Sequence, residues 1–196
     1  NHFKGISTQH KEGAAILIYT CTIHTALGAM TASAENGALT GLWFIGQKYY
    51  PSKAGTWMDE FNYPVFETLR LWLGEYFSGK NPMLDLKIEP QGTPFQKAVW
   101  EILLKIQSGQ VTTYGEIAKK LAIMQGLSSM SAQAVGGAVG HNPISILIPC
   151  HRVIGSNGSL TGYAGGIDKK KALLQLEHGK PLFIDKNGKD SNSFLA

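Results

Sequence analysis

The sequence predicts an α/β protein of two domains, on three observations. Residues 14–25 are rich in Ile, Thr and Tyr, which favour strands, whereas capping signals for helices dominate from residue 93 onward. Between these regions, residues 89–92 (Glu-Pro-Gln-Gly) have the composition of a linker. With 196 residues, of which 43% are hydrophobic, the chain is long enough to bury a core in one domain or in two small ones.

The N-terminal region, residues 1–90, is predicted to be a small α/β domain. Asn36-Gly37 supplies the positive φ angles of a tight hairpin turn between the second and third strands. Pro64 favours the first turn of a helix with apolar residues at helical spacing, which Gly79 ends. The expected strands are residues 14–25, 27–34, 38–45 and 84–88.

The C-terminal region, residues 91–180, is predicted to be mainly helical and is followed by a polar tail, residues 181–196. Thr93 and Thr113 each begin a capping box, and Ser131 can cap a further helix. Four helices are expected. The first starts at Pro94, the second runs from Thr113 to about Ala122, the third from Ala132 to about Val139, and the fourth from Lys169 to His178 with Asp168 as its cap. The middle two, short and joined by a turn, suggest a helix-turn-helix unit.

Composition restricts the compartment and the partners. The two cysteines, Cys21 and Cys150, lack the paired spacing of a disulfide framework or a zinc site, and the apolar runs are too short to span a bilayer. We therefore expect a cytoplasmic or nuclear protein without a membrane partner. Residues 91–180 carry nine basic and four acidic side chains. This excess fits either a polyanionic partner or a solvated basic face.

The stretch around Cys150 is the strongest candidate for chemistry. A cysteine after an apolar run is more often inert than nucleophilic. Here, however, His151 can accept a proton near neutral pH, and the positive charge of Arg152 favours a thiolate. Because neighbours on a strand point to opposite faces, cooperation of Cys150 with His151 requires a bend at Pro149 or a bridging water. The group that orients His151 could be Glu177 or, in a papain-like arrangement, Asn142.

Two further stretches are rich in small residues. The predicted helix at residues 132–139 is mostly Ala, Gly and Val, which indicates either tight packing against another helix or a backbone pressed into a nucleic-acid groove. Gln133 is its one long polar residue. Residues 162–166 contain three glycines, which would let the backbone approach a ligand.

These residues together resemble a known family. Residues 149–153, Pro-Cys-His-Arg-Val, preceded by Asn142-Pro143, closely resemble the active-site signature of the O6-alkylguanine-DNA alkyltransferases. Further similarities to the family occur in its order at residues 92–96, 99–100, 111–115, 134–138 and 162–166. The resemblance is strong over residues 92–179 and extends to residues 14–90 only in general layout.

The resemblance implies a fold and a function. The expected fold has a ribonuclease-H-like sheet with a helix, followed by the helix-turn-helix domain. The expected protein is a monomeric repair enzyme that binds alkylated double-stranded DNA in the minor groove and flips the damaged guanine. It transfers the alkyl group irreversibly to its own cysteine. Alkylated O4 of thymine is a possible second substrate.

The resemblance also implies a role for each site residue. Cys150 is the nucleophile, His151 acts on it through a water, Glu177 orients His151, and Tyr114 donates to the leaving base. The expected substrate-site residues are Tyr163, Ala164 and Val153, with Asn142 bracing the loop and Arg152 beneath it. The expected DNA-binding residues are Gln133, where the family usually has Arg, with Ser131, Ala132, Ala134, Thr113 and Gly136.

No cofactor is expected. Some members of the family hold a structural zinc in the first domain, but Cys21 and His24 are the only nearby candidates for its four ligands, so we expect no metal. Two rival functions remain at this stage. A damage-binding relative without a nucleophile is disfavoured by Cys150 itself. A plain helix-turn-helix module with Cys150 in its core predicts DNA binding without alkyl transfer.

Overall fold

The computed structural model describes residues 16–52 and 57–179 of the chain. The first elements are strands β1 (Ile18–Thr25), β2 (Gly28–Glu35), β3 (Ala38–Phe44) and β4 (Trp57–Asp59), and helix α1 (Pro64–Phe77). The later elements are α2 (Pro94–Leu104), β5 (Thr112–Thr113), α3 (Tyr114–Met124), α4 (Ala132–Gly140), β6 (Val153–Ile154) and α5 (Ile167–Glu177). A 3₁₀ turn, Cys150–Arg152, precedes β6. The predicted tail, residues 181–196, lies outside the described residues.

A mixed four-stranded sheet with the order β3-β2-β1-β4 forms the first half. The predicted hairpin is confirmed, since β2 and β3 pair antiparallel around Asn36 and Gly37, with φ angles of 49° and 78°. β4 pairs parallel with β1 and was not predicted. Helix α1 covers one face of the sheet, and five of its residues are buried there: Val65, Phe66, Leu69, Leu73 and Tyr76.

The free edge of β3 connects the sheet to the candidate site. Leu42 exchanges backbone hydrogen bonds with the segment that leads to Cys150. Its amide donates to the Pro143 carbonyl at 2.8 Å, and its carbonyl accepts from the Ser145 amide at 2.9 Å. Leu39 similarly binds Lys87 and Glu89. The strand predicted at residues 84–88 is wrong, because only an isolated bridge between Leu39 and Ile88 forms there. Residues 87–89 and 143–145 thus hydrogen-bond the backbone groups of β3 that the edge of the sheet would otherwise expose.

Helices α2, α3 and α4 begin where their capping signals predict. The complete capping boxes at Thr93 and Thr113 are present, and Ser131 caps α4 by accepting from the Ala134 amide. The cap predicted for α5 is wrong, because the helix starts after Gly166, whose φ of 98° suits glycine, and Asp168 lies within the first turn.

Buried side chains of both halves form one hydrophobic cluster. Trp100 is almost fully buried in it and donates its indole N–H to the Ala138 carbonyl at 2.9 Å, which ties α2 to α4. Within the described ranges, none of the helices combines the length and hydropathy needed to cross a membrane.

Candidate active site

The loop from Asn142 to Cys150 is held in two tight turns. The Leu147 amide donates to the Ser145 carbonyl across Ile146, whose φ of 72° is rare for a β-branched residue and costs on the order of 1–3 kcal/mol. The Cys150 amide donates to the Ile148 carbonyl across Pro149, whose φ and ψ of −82° and 65° form an inverse γ-turn. The chain therefore bends at Pro149, which was one of the two alternatives for bringing Cys150 and His151 together.

Asn142 fixes this loop from inside. Its buried side chain donates to the Ile148 carbonyl at 2.7 Å and accepts from the Ile144 amide at 2.9 Å. Both ends of the amide are thus bound to the backbone, and the residue that hydrogen-bonds His151 is Glu177. The papain-like arrangement with Asn142 behind the histidine is therefore wrong.

Cys150 lies at the closed end of a cavity of about 410 Å³, a size typical of small-molecule sites. Only 5% of the residue is exposed. Burial raises the pKa of the Cys150 thiol, while the Asn142 amide and the charge of Lys170 act in the opposite direction. The residues lining the cavity are Lys48, Tyr49, Tyr114, Gly136, Gly137, Val139, Gly140, Cys150, Thr161, Gly162, Tyr163 and Ala164.

His151 is completely buried behind the thiol. Its Nε2 lies 2.7 Å from Glu177 Oε1, whereas Nδ1 has no hydrogen-bond partner among the described residues. Burial lowers the pKa of His151, partly opposed by Glu177, and this favours the neutral imidazole. Because a carboxylate can only accept, the proton resides on Nε2 and Nδ1 carries the free lone pair.

Glu177 accepts hydrogen bonds from three side chains. Besides His151, the Tyr76 hydroxyl donates to Oε1 at 2.8 Å, and Arg152 donates to both oxygens at 2.8 and 2.9 Å. Burial alone would raise the pKa of Glu177, but the hydrogen bonds from His151 and Arg152 hold it well below its usual range. Tyr76 was not among the site residues predicted from the sequence. A helix of the first half thus contributes directly to this network.

The positive charge near Cys150 comes from a different residue than the sequence suggested. Arg152 pairs with Glu177 and also donates to the Ile106 carbonyl, so its guanidinium lies beneath the site and away from the cavity lining. Lys170 is fully buried and donates to the carbonyls of Val153, Thr161 and Gly162. Burial lowers the pKa of Lys170 to about 8. Its burial could not be read from the Lys-Lys-Lys run at residues 169–171.

Two tyrosines face Cys150 across the cavity. The Tyr114 hydroxyl donates to the Thr161 carbonyl at 2.9 Å, and the Tyr163 hydroxyl is buried without a hydrogen-bond partner among the described residues. Burial and the nearby Cys150 raise the pKa of both phenols, which keeps them as donors at neutral pH. Val153 is buried in β6 and does not line the cavity, although its carbonyl binds Lys170.

Helix α4 presents two different faces. Val135 and Ala138 pack into the core, whereas Gly136, Gly137 and Gly140 line the cavity, which their lack of side chains leaves open; Val139 is buried and also borders the cavity. The exposed N-terminal turn carries the side chains of Ala132, Gln133 and Ala134. Together with Ser156 and the start of α3, Ala132 and Gln133 border a second, open groove.

The residues considered for zinc do not meet. Cys21 is buried and His24 is exposed on the same strand, three positions apart, so the two side chains lie on opposite faces of the sheet. Within the described ranges, no group of three or more His, Cys, Asp or Glu residues is arranged to hold a metal ion.

Comparisons with known proteins agree with this geometry. The family model described as the DNA-binding domain of 6-O-methylguanine DNA methyltransferase matches residues 94–179. A methylated-DNA–protein-cysteine methyltransferase of Mycolicibacterium paratuberculosis is 41% identical over 156 residues, which cover 80% of this chain and 90% of the relative. The enzyme of that name from Haemophilus influenzae is 37% identical over 170 residues, 86% of this chain and 90% of its own.

The same similarity extends to a solved structure. A crystal structure of Mycobacterium tuberculosis OGT in complex with DNA superposes with a TM-score of 0.72 at 39% identity, over 83% of this chain and 95% of that one. The sequence signature, the architecture and the buried Cys-His-Glu arrangement therefore lead to one conclusion. The chain belongs to the family of methylated-DNA–protein-cysteine methyltransferases.

Proposed function

We propose that this protein repairs O6-alkylguanine in double-stranded DNA by transferring the alkyl group to Cys150 in a single turnover. The observation that carries the proposal is the position of Cys150 at the closed end of a cavity, with His151 and Glu177 directly behind it. The chain also belongs to a family whose members bear the name of this activity. O4-alkylthymine, a smaller base with a similar alkyl ether, is the second substrate to test.

The proton of the Cys150 thiol leaves through His151. The free lone pair on Nδ1 accepts a hydrogen bond from a water, and this water accepts the thiol proton as it gives its own to the imidazole. Glu177 stabilises the imidazolium through Nε2, since it is held ionised by Arg152. The charge of Lys170 favours the thiolate at this buried position.

The thiolate then attacks the alkyl carbon on O6 in line with the carbon–oxygen bond. A carbon–sulfur bond forms, the carbon–oxygen bond breaks, and its electron pair moves into the guanine ring. Tyr114 donates a proton or a hydrogen bond to the ring nitrogen that becomes more basic. For this, the Tyr114 hydroxyl must break its hydrogen bond to the Thr161 carbonyl. That carbonyl still accepts a hydrogen bond from Lys170. The thioether is stable, so each protein molecule acts once.

The lesion reaches the cavity by base flipping, because a thiol buried at its closed end cannot contact a base within the duplex. Helices α3 and α4 act as a helix-turn-helix unit, and the exposed first turn of α4 enters the minor groove. Its backbone amides and small side chains at Ala132, Ala134 and Gly136 allow close approach. Gln133 inserts into the space that the flipped base leaves, where it can hydrogen-bond but brings no charge.

The other residues of this surface stabilise the unit. Thr113 and Ser131 cap α3 and α4 with their hydroxyls, which fixes the first turns that face the DNA. The start of the family match at residue 94 supports a division of the chain near residue 90. On this division the C-terminal domain holds Cys150 and the DNA surface, and the protein acts as a monomer.

The test is incubation with a duplex containing O6-methylguanine, followed by peptide mass spectrometry. We expect one methyl group on the peptide of Cys150 and none on that of Cys21, which serves as an internal control since burial raises its pKa to about 11. DNA binding without methylation of Cys150 would contradict the proposal and favour a plain DNA-binding module. Parallel duplexes with O4-methylthymine determine whether that lesion is also repaired.

A further inference from the structure

Two residues of the first half line the cavity that contains Cys150. Lys48 and Tyr49 lie in the segment after β3, more than 60 residues before the other lining residues. Both are exposed, and Tyr49 keeps 50% of its surface accessible, whereas Cys150 keeps 5%. They therefore lie at the open end of the cavity, opposite the thiol.

The segment that carries them is fixed on both sides of the opening. The Lys48 amide donates to the Ala164 carbonyl at 3.0 Å, which joins it to the glycine-rich loop. On the other side, the Tyr49 ring stacks on His141 at the end of α4, with ring centroids 3.9 Å apart and planes 23° apart. Tyr49 has a φ of 60°, which is a strained backbone conformation for a bulky residue. The two contacts maintain this conformation.

The charge of Lys48 is oriented by the same tyrosine. Its Nζ lies 4.9 Å from the centroid of the Tyr49 ring, within the range of a cation–π contact. Among the described residues, no salt bridge from Lys48 to a carboxylate is present. The opening thus presents an oriented ammonium group beside an aromatic face.

The direction in which a substrate enters decides what meets these groups. If the proposed function holds, the alkyl group on O6 contacts Cys150 Sγ, so the O6 edge of the base is the innermost part. The glycosidic bond, sugar and phosphates then lie at the opening. We propose that Lys48 and Tyr49 bind the sugar–phosphate backbone of the flipped nucleotide, Lys48 through a phosphate and Tyr49 through the sugar. They thereby favour lesions in DNA over the free base.

The experiment compares one reaction on two substrates. The second-order rate constant of Cys150 alkylation is measured with a duplex containing O6-methylguanine and with free O6-methylguanine. Lys48→Ala is expected to lower the ratio of the two constants, duplex over free base, about fivefold, which is the effect of one exposed charged contact. The matched control Lys80→Ala, at an exposed lysine in the segment after α1, leaves both constants unchanged.

Two further measurements separate a phosphate contact from a structural effect. In a Cys150→Ser background, Lys48→Ala should reduce the slope of log Kd against log salt concentration by about 0.9, the value for one lost phosphate contact. Tyr49→Ala should lower the same ratio of rate constants, and the double variant should lower it less than the product of the single effects, because the ring orients the ammonium group.

The outcomes are distinct. An unchanged ratio in Lys48→Ala, or an unchanged salt slope, overturns this inference even if Cys150 is alkylated normally. Absence of alkylation with both substrates in the unmodified protein refutes the proposed function instead. Melting temperatures of the variants within about 2 °C of the parent exclude unfolding as the cause, since each site is exposed.

Discussion

Replacing Tyr76 by Phe removes one donor from Glu177 and keeps the ring. The hydroxyl donates to Oε1 at 2.8 Å, and the ring, 3% exposed, stacks on Trp72 with centroids 5.2 Å apart. A hydrogen bond to a charged group contributes about 1.5–3 kcal/mol. Because Phe preserves the packing, we expect the free energy of unfolding to fall by about 2 kcal/mol. For a chain of this size the Tm then falls by about 4–8 °C.

The same change should alter the pH dependence of alkyl transfer. His151 must be neutral to accept a proton, so transfer slows as the pH falls below its pKa. Without the Tyr76 hydroxyl, more negative charge remains on Glu177 Oε1, which favours the protonated imidazole and raises the pKa of His151. The acid limb of the rate profile therefore moves to higher pH in Tyr76→Phe.

The assay combines thermal denaturation with single-turnover alkyl transfer between about pH 5 and pH 8, the range of histidine titration. The matched control is Tyr63→Phe, whose oxygen accepts from the Gly37 amide at 2.8 Å away from the cavity. The control should lose about 1 kcal/mol and keep the acid limb in place. If Tyr76→Phe melts like the parent, or if its acid limb does not move, Tyr76 does not bind Glu177 in solution and the reasoning fails.

Three further predictions concern single side chains. Glu177→Gln should slow alkyl transfer about 10–100-fold at unchanged DNA affinity. Because the pKa of Glu177 is lowered in the folded state, the stability that its carboxylate contributes is present above about pH 4 and lost below it. The free energies of unfolding of parent and variant should therefore converge in acid, and a constant difference between them would show that the carboxyl is not ionised. Lys170→Met should raise the pKa of Cys150, seen as thiolate absorbance appearing at higher pH, and an unchanged titration would refute its electrostatic role. Gln133→Arg should tighten binding to lesion-containing duplex by up to about fivefold in titrations at fixed salt, and unchanged or weaker affinity would count against insertion at this position.

Features with a local physical cause were predictable from the sequence. The capping boxes at Thr93 and Thr113 and the Asn36-Gly37 turn each depend on residues within four positions of one another. Local backbone geometry and the side chains of near neighbours decide them. The errors at Asp168 and at residues 84–88 arose where local propensity was contradicted by packing, since a glycine with positive φ starts α5 and the edge of β3 binds an irregular segment.

The sequence by itself determined the family, because its signature is concentrated around Cys150, and the resemblance to that family implied Glu177 as the residue behind His151. Only the tertiary structure decided what surrounds these groups. Tyr76 reaches Glu177 across 101 positions, and Lys170 is the buried one of three consecutive lysines. Burial and charge pairing depend on which distant elements pack together, and no spacing along the chain encodes that. The sequence suggested that the charge of Arg152 would favour the Cys150 thiolate. In the fold Arg152 pairs with Glu177 instead, and the positive charge near the thiol comes from Lys170.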